Sequence, residues 1–147
     1  MQVRHIQEKD WEACWHIQRS EHPHNEPFSA DTWVFICKNL TDSFVVVDDD
    51  DTAVGYWLGM LKINPHEEVE DIWCLAIDVC THRDHRESGV MDLIMPIATQ
   101  YHQRIYAFTQ SNNLPAEGIM FKWGFNKGKY IEEHNMHYWT YERKDDS

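Results

Sequence analysis

Residues 70–101 read EDIWCLAIDVCTHRDHRESGVMDLIMPIATQY, and this segment indicates the class of fold. Residues 70–79 are almost continuously apolar, which is typical of a strand in the middle of a sheet that is buried on both faces. A polar loop follows, and apolar residues then recur at helical spacing from Val90 to Tyr101. The segment therefore predicts a strand, a loop and a helix in succession. Because Pro96 lacks an N–H group, we expect a kink in this helix or two shorter helices.

The sequence on both sides adds alternating strand and helix patterns. The predicted order is β α α β β β α β α β β, with Ser29 or Asp31 capping the second helix. This order defines an α/β protein with a central mixed sheet of six to seven strands, flanked by about four helices. The chain of 147 residues predicts a single domain over residues 1–143, followed by a short polar tail, 144–147.

Composition excludes several classes of partner. Thirteen Lys and Arg against 25 Asp and Glu give a net charge of −12, which repels nucleic acid and anionic lipid and favours cationic partners. No segment has the apolar length of a membrane span, and residues 1–10 do not resemble a signal peptide. The four Cys residues form no C-x-x-C pair, so we expect buried thiols in a reducing compartment and a cytoplasmic protein.

The ten His residues do not predict a metal site. Neither His22-x-His24 nor His82-x-x-His85 is completed by a carboxylate or thiolate at a recognised zinc spacing. Surface or loop positions are the simpler interpretation, and we expect no metal. The second pair, with Arg83 and Arg86, forms a local cationic cluster in an otherwise acidic chain. Such a cluster favours a phosphate ligand, although a solvated loop has the same composition.

Two local motifs, together with the order of elements, carry a resemblance to a known family. Arg86-Glu87-Ser88-Gly89-Val90-Met91 lies between the fourth strand and the third helix. Asn113-Leu114-Pro115-Ala116 is followed by Gly124-Phe125. Over nearly the whole chain, the sequence resembles the GNAT superfamily of acyl-CoA-dependent N-acyltransferases. The first motif is similar to that family's Gln/Arg-x-x-Gly-x-Gly/Ala pyrophosphate loop, and the second is similar to its Asn-x-x-Ala and Gly-Phe segment.

The resemblance implies an acetyltransferase that moves an acetyl group from acetyl-CoA to an amine, on a small molecule or a protein. The pyrophosphate would bind to backbone N–H groups at the start of a helix, where glycine allows close approach. Pantetheine would follow the edge of the central strand. The residues implied for the cofactor are Ile77, Val79, Arg86, Ser88, Gly89, Val90, Met91 and Asn113.

The catalytic residues are less completely matched. The family's general base is often a carboxylate near the start of the central strand, where Asp71 stands with Glu70 beside it. Asp71 would act on the amine directly or through water, whereas solvated acidic residues are also common at strand ends. The family's proton-donating Tyr is replaced by Met120, and a thioether donates no proton. An acid would have to come from water, Tyr101, Tyr106 or elsewhere.

A second hypothesis is a GNAT-like protein that has lost catalysis and serves as a structural or binding module. Met91, Met120, Pro96 and a loop longer than the family's usual spacing favour it. Residues 124–141 resemble, in layout, the small GNAT-like virion proteins of tailed phages. This hypothesis implies a virion component with an assembly partner, or an acidic inhibitor. Arg86, Gly89 and Asn113 favour a retained cofactor site, and therefore the enzyme.

Overall fold

The structure is a computed structural model that describes residues 1–21 and 27–144, without the side chains of residues 86 and 87. In this part of the chain the helices are α1 (Trp11–Glu21), α2 (Ala30–Asn39), α3 (Val90–Tyr101) and α4 (Leu114–Lys122). The strands are β1 (Gln2–His5), β2 (Phe44–Val47), β3 (Ala53–Ile63), β4 (Ile72–Thr81), β5 (Arg104–Gln110), β6 (Asn126–Ile131) and β7 (Met136–Glu142). Short 3-10 helices cover Glu8–Asp10, Arg83–Ser88 and Glu132–His134.

The seven strands form a mixed sheet in the order β1-β2-β3-β4-β5-β7-β6. The predicted order of elements and the predicted α/β class are confirmed. Ser29 caps α2 through its hydroxyl, which accepts a hydrogen bond from the Thr32 N–H group at 3.2 Å. The chain divides into two compact units, which are described separately below.

Unit 1 consists of Met1–Met60 and Ile77–Ala98. Strands β1, β2 and β3 pair in antiparallel fashion in this unit. The first two helices bury aromatic and aliphatic side chains, with Trp33 and Tyr56 both fully inaccessible. Cys14, Cys37 and Cys80 belong to the same core and are free thiols, as expected from the sequence. Burial raises the pKa of Cys14 and Cys37, which keeps both thiols protonated and unreactive.

Unit 2 consists of Leu61–Ala76 and Thr99–Ser147. Strand β7 pairs in antiparallel fashion with β5 on one side and β6 on the other. The start of β4 pairs in parallel with β5, through Cys74 with Ile105 and Leu75 with Tyr106. The core of this unit is aromatic and contains Trp73, Tyr106 and Tyr138.

Two expectations about residues 70–101 are wrong. Strand β4 is not buried on both faces along its length, because residues 75–79 are only half-buried. An apolar run records hydrophobicity but not which neighbours cover it. Helix α3 is also not divided into two helices at Pro96, since it runs unbroken from Val90 to Tyr101, and the alternative of a kink there stays a prediction. Ile94, Met95 and Ala98 are buried around the proline, and their packing offsets the one lost hydrogen bond.

Helix α3 begins in close contact with strand β3 in unit 1. A Cβ atom built on Gly55 would lie 2.7 Å from Val90 Cγ1 and 3.2 Å from the Cys80 carbonyl oxygen. Real Cβ atoms do not approach other atoms so closely, so this position requires glycine. The missing side chain lets the first residue of α3 rest directly on the sheet.

We predict that Gly55→Ala lowers the free energy of unfolding by about 1–3 kcal/mol, because the added methyl group overpacks this contact. Urea denaturation would measure the change. Gly118→Ala is the matched control, since a Cβ at Gly118 would have no described atom, beyond its chain neighbours and its own helix backbone, within 4 Å. This control lies in α4 and should stabilise the protein by about 0.5–1 kcal/mol. Equal effects at both positions would contradict the proposed overpacking.

Candidate active site

Strand β4 carries a carboxylate, Asp78, in unit 1. Its Oδ2 accepts a hydrogen bond from the Tyr56 hydroxyl at 2.6 Å and another from the Gln18 side-chain amide at 3.2 Å. Burial first, and the Asp78 carboxylate second, raise the pKa of Tyr56, so its hydroxyl stays protonated and donates. These contacts fix the Asp78 carboxylate, which in sequence stands between Ile77 and Val79, two of the predicted cofactor-binding residues, whose side chains point to the opposite face of the strand.

Gln18 connects this carboxylate to the start of helix α2. Its Oε1 accepts hydrogen bonds from the Phe28 backbone N–H at 2.9 Å and from the Trp33 indole N–H at 3.0 Å. Because the oxygen serves two donors, the amide nitrogen is the atom directed at Asp78. The sequence analysis missed this network. Its one local signal is a single acidic residue inside an otherwise apolar strand.

The predicted pyrophosphate loop joins β4 to α3 in unit 1. The 3-10 helix Arg83–Ser88 leads to Gly89, whose φ of 74° lies in the left-handed region. Helix α3 then begins with a 3.2 Å hydrogen bond from the Leu93 N–H to the Gly89 carbonyl. Apart from its chain neighbours, no described atom lies within 4 Å of the position that a Gly89 Cβ would take. The turn is therefore open on the side where glycine lacks a side chain.

The other predicted cofactor residues occupy different environments. Three of them have half-buried side chains: Ile77, Val79 and Met91. Ser88 is exposed, whereas Val90 is fully buried against Gly55 and offers a ligand only its backbone. The backbone of Arg86 lies in the 3-10 helix, and its side chain lies outside the described part of the chain. Their role in binding a cofactor stays a prediction.

The expected cationic cluster in this loop is partly neutralised. Glu21 Oε1 accepts hydrogen bonds from the Arg83 backbone N–H at 2.8 Å and from its Nε at 3.2 Å. Arg83 also donates to the Ser20 carbonyl at 3.0 Å, so it anchors the loop to the end of α1. Within the described residues, no group of His, Cys, Asp and Glu is arranged to hold a metal ion. His22 and His24 lie outside those residues.

Asn113, the last predicted cofactor residue, caps helix α4 in unit 2. Its Oδ1 accepts a hydrogen bond from the Ala116 N–H at 3.2 Å. The side chain is exposed. The motif that resembles the family's Asn-x-x-Ala segment thus has a local structural role in starting this helix.

We predict that Asn113→Ala lowers the free energy of unfolding by about 1 kcal/mol, because the cap is lost. Asn113→Asp should retain the cap and most of the stability, since a carboxylate oxygen accepts the same bond near the positive end of the helix dipole. Urea midpoints of the two variants would test this. Equal losses in both variants would show that the cap is not what stabilises α4.

Unit 2 contains a recess of about 640 Å³ near the start of β4. Trp73 forms an apolar wall with 4% of its surface exposed, and the Arg104 guanidinium carbon lies 5.7 Å from the centroid of its ring. The remaining wall is mainly acidic. The lining residues are His66, Glu67, Glu68, Val69, Asp71, Trp73, Arg104 and Glu142.

Asp71, the predicted base, lies in this recess and forms an ion pair with Arg104. Its Oδ1 also accepts a 2.8 Å hydrogen bond from the Ile72 N–H. The backbone N–H of Ile72 first, and Arg104 second, lower the pKa of Asp71 below its usual value. Both partners stabilise the carboxylate and reduce its tendency to take a proton. The catalytic role of Asp71 stays a prediction.

The loop between β3 and β4 is fixed by Asn64, which is fully buried in unit 2. Its Nδ2 donates to the Tyr138 hydroxyl oxygen at 2.8 Å, and its Oδ1 accepts from the His66 N–H at 3.0 Å. Tyr138 in turn donates to Glu67 Oε1 at 2.6 Å. The Asn64 N–H donates to the Asp71 carbonyl at 3.1 Å, which closes the loop. No local pattern in the sequence predicts this hydrogen-bond network around Asn64.

The fold is that of the GNAT N-acyltransferases. The chain is similar to the GNAT-like decarboxylase GphF in complex with isobutyryl-CoA, at 10% identity and a TM-score of 0.79 over 97% of this chain and 99% of that one. It is also similar to Arabidopsis thaliana NAA60 in complex with acetyl-CoA, at 17% identity and a TM-score of 0.73 over 96% and 98%. A third similar structure is the diaminobutyrate acetyltransferase EctA from Paenibacillus lautus in complex with its substrate and coenzyme A. It is 11% identical, with a TM-score of 0.71 over 99% of this chain and 97% of that one.

These likenesses establish the fold, and the predicted GNAT-like architecture is confirmed. No family model matches the sequence, and no curated protein matches it. Among the described residues, no helix has the length and apolar character needed to cross a membrane.

Proposed function

We propose that this protein is an N-acyltransferase that uses acyl-CoA, most simply acetyl-CoA, to acylate an amine. The observation that carries the proposal is the open glycine turn at Gly89, which starts α3 directly after β4. Structures of the same fold contain acetyl-CoA, isobutyryl-CoA or coenzyme A. The retained turn supports the same class of cosubstrate here.

The residues of unit 1 suit a pyrophosphate group. The first N–H groups of an α-helix have no partner inside the helix, and the helix dipole adds positive potential there. Val90 is anchored on Gly55, so its backbone is held firmly while Gly89 keeps the approach open. Pantetheine would lie along the half-buried edge at Ile77 and Val79. Arg86, Ser88 and Met91 are assigned to the same site.

We assign the amine to the recess of unit 2. Its four carboxylates, on Glu67, Glu68, Asp71 and Glu142, face a single arginine, so the recess carries an excess of negative charge. This charge attracts an ammonium group, and Trp73 provides an apolar surface for its carbon chain. The net charge of −12 agrees with a cationic acceptor and disfavours nucleic acid.

A binding protein without catalysis is the second candidate, and one observation favours it. Met120 is 9% exposed and occupies the place of the family's proton-donating tyrosine. Such a protein would bind acyl-CoA without acylating amines. A virion or assembly role and a cytoplasmic location stay predictions.

Calorimetric titration with acetyl-CoA tests the cosubstrate. We expect micromolar binding by the wild type and at least tenfold weaker binding by Gly89→Glu, which adds bulk and negative charge to the turn. Gly124→Glu is the matched control for backbone strain, because Gly124 has a similar φ of 84° and is not among the residues assigned to the cofactor. This variant should have the same backbone strain as Gly89→Glu but the wild-type affinity for acetyl-CoA. No binding by the wild type at millimolar acetyl-CoA would overturn the proposed function.

Turnover distinguishes the two candidates. Release of free thiol from acetyl-CoA in the presence of small aliphatic amines, or of peptides with a free amino terminus, would support the acyltransferase. Binding of acetyl-CoA with no acylation of any of these amines would favour the non-catalytic candidate.

A further inference from the structure

We infer that His66 is the proton acceptor for the amine in the recess of unit 2. This inference rests on the proposed function. It assigns to a loop histidine the role that the sequence predicts for Asp71, and its grounds are the packing of the imidazole, its lack of bonded partners and the state of its neighbours.

The hydrogen-bond network around Asn64 holds the backbone of His66 in place. The 3.0 Å bond from the His66 N–H to Asn64 Oδ1 fixes the residue, and the bond from Tyr138 to Glu67 fixes the residue that follows. Because Asn64 is fully buried, this part of the loop cannot move without exposing unpaired polar atoms to an apolar core. A backbone fixed in this way keeps the imidazole in the wall of the recess, where a bound amine could reach it.

Three aromatic rings hold the imidazole itself. The ring of His66 lies 5.1 Å from Tyr138, 5.2 Å from Phe108 and 6.4 Å from Tyr106, measured between centroids. The imidazole also lines the recess. Among the described residues, neither of its ring nitrogens has a hydrogen-bond partner. The side chain is therefore oriented by ring contacts, and no described residue uses its nitrogen lone pair.

The charges around His66 favour its neutral form. Burial first, then Lys129 on β6, lower the pKa of His66, and Lys62 on β3 adds to this effect, whereas Glu67 opposes it. The remaining titratable groups near His66 are Tyr106 on β5 and Tyr138 on β7. The recess adds the charged lining residues Glu68, Asp71, Arg104 and Glu142. A His with a lowered pKa is neutral at pH 7 and can accept a proton.

Two of the four carboxylates in the recess are already engaged. Asp71 is held by Arg104 and by the Ile72 N–H, which stabilise its charged form. Glu67 accepts a short hydrogen bond from Tyr138. The Ile72 N–H and Arg104 lower the pKa of Asp71, which makes it a weaker base than a neutral imidazole without partners.

The proton balance is simple. His66 takes one proton from the alkylammonium group, and the amine nitrogen then attacks the carbonyl carbon of the thioester. The C–N bond forms, the C–S bond breaks, and the second proton of the nitrogen ends on the departing thiolate. His66 then releases its proton to water. The products are the amide, free coenzyme A and one proton.

The test compares His66→Gln with the control His134→Gln, an exposed residue of the Glu132–His134 segment. Glutamine keeps a polar side chain but does not titrate. We expect His66→Gln to keep the wild-type melting temperature and affinity for acetyl-CoA, and to lower kcat/KM by about 100-fold or more. The wild-type profile of kcat/KM should fall as the pH drops through the pKa of His66, and the variant should lose this acidic limb.

Three results would overturn the inference. A His66→Gln variant with kcat/KM within threefold of wild type and the same acidic limb removes the base role but leaves the proposed function intact. A wild type that binds no acetyl-CoA removes the proposed function and the base role with it. If the wild type binds acetyl-CoA but shows no turnover, NMR titration of the His66 imidazole tests the inference instead. A pKa of His66 at or above its usual value, or a pKa that added butylamine does not change, would contradict the inference.

Discussion

The contact between Gly55 and Val90 is the constraint on which the architecture of unit 1 depends. Helix α3 must begin immediately after a tight left-handed turn, and its first side chain must find space on the sheet. With any larger residue at Gly55, the Val90 side chain or the backbone at Cys80 would have to shift. Ile94, Met95 and Ala98 bury the rest of the helix face. The missing methyl group on β3 therefore lets the first residue of α3 pack directly on the sheet.

Asn64 has an equivalent position in unit 2. Burying an amide costs several kcal/mol unless its donors and acceptors are paired, and here both side-chain atoms and the backbone N–H are paired. The four residues that these bonds join, Asn64, His66, Asp71 and Tyr138, lie on the loop and on β7. Removal of any one of them leaves a buried polar atom without a partner, which is why the loop has one conformation rather than several. Rigid placement of His66 follows from this requirement.

The sequence predicts local features well and long-range ones poorly. Periodicity predicted the element order, the resemblance to a family motif indicated the Gly89 turn, and the local sequence offered Ser29 or Asp31 as the cap of α2, because each depends on neighbours a few residues away. The bond from Gln18 to Asp78 joins residues 60 positions apart, and the bond from Asn64 to Tyr138 joins residues 74 apart. No local pattern marks such pairs. For the same reason His66 looked like one surface histidine among ten, since only the fold brings three aromatic rings around it.

The chemistry of acyl transfer explains how a proposed acyltransferase can have Met120 where the resemblance implies a proton-donating tyrosine. A thiol has a pKa near 8.5, so a departing thiolate is within about two pH units of neutrality and needs little help from an acid. An alkylammonium group has a pKa near 10.4, so only about one molecule in 2,500 is a free amine at pH 7. The larger barrier lies in deprotonating the nucleophile. Under the proposed function, loss of the acid is therefore tolerable whereas loss of the base is not, and the imidazole proposed as the base lies in a recess rich in carboxylates.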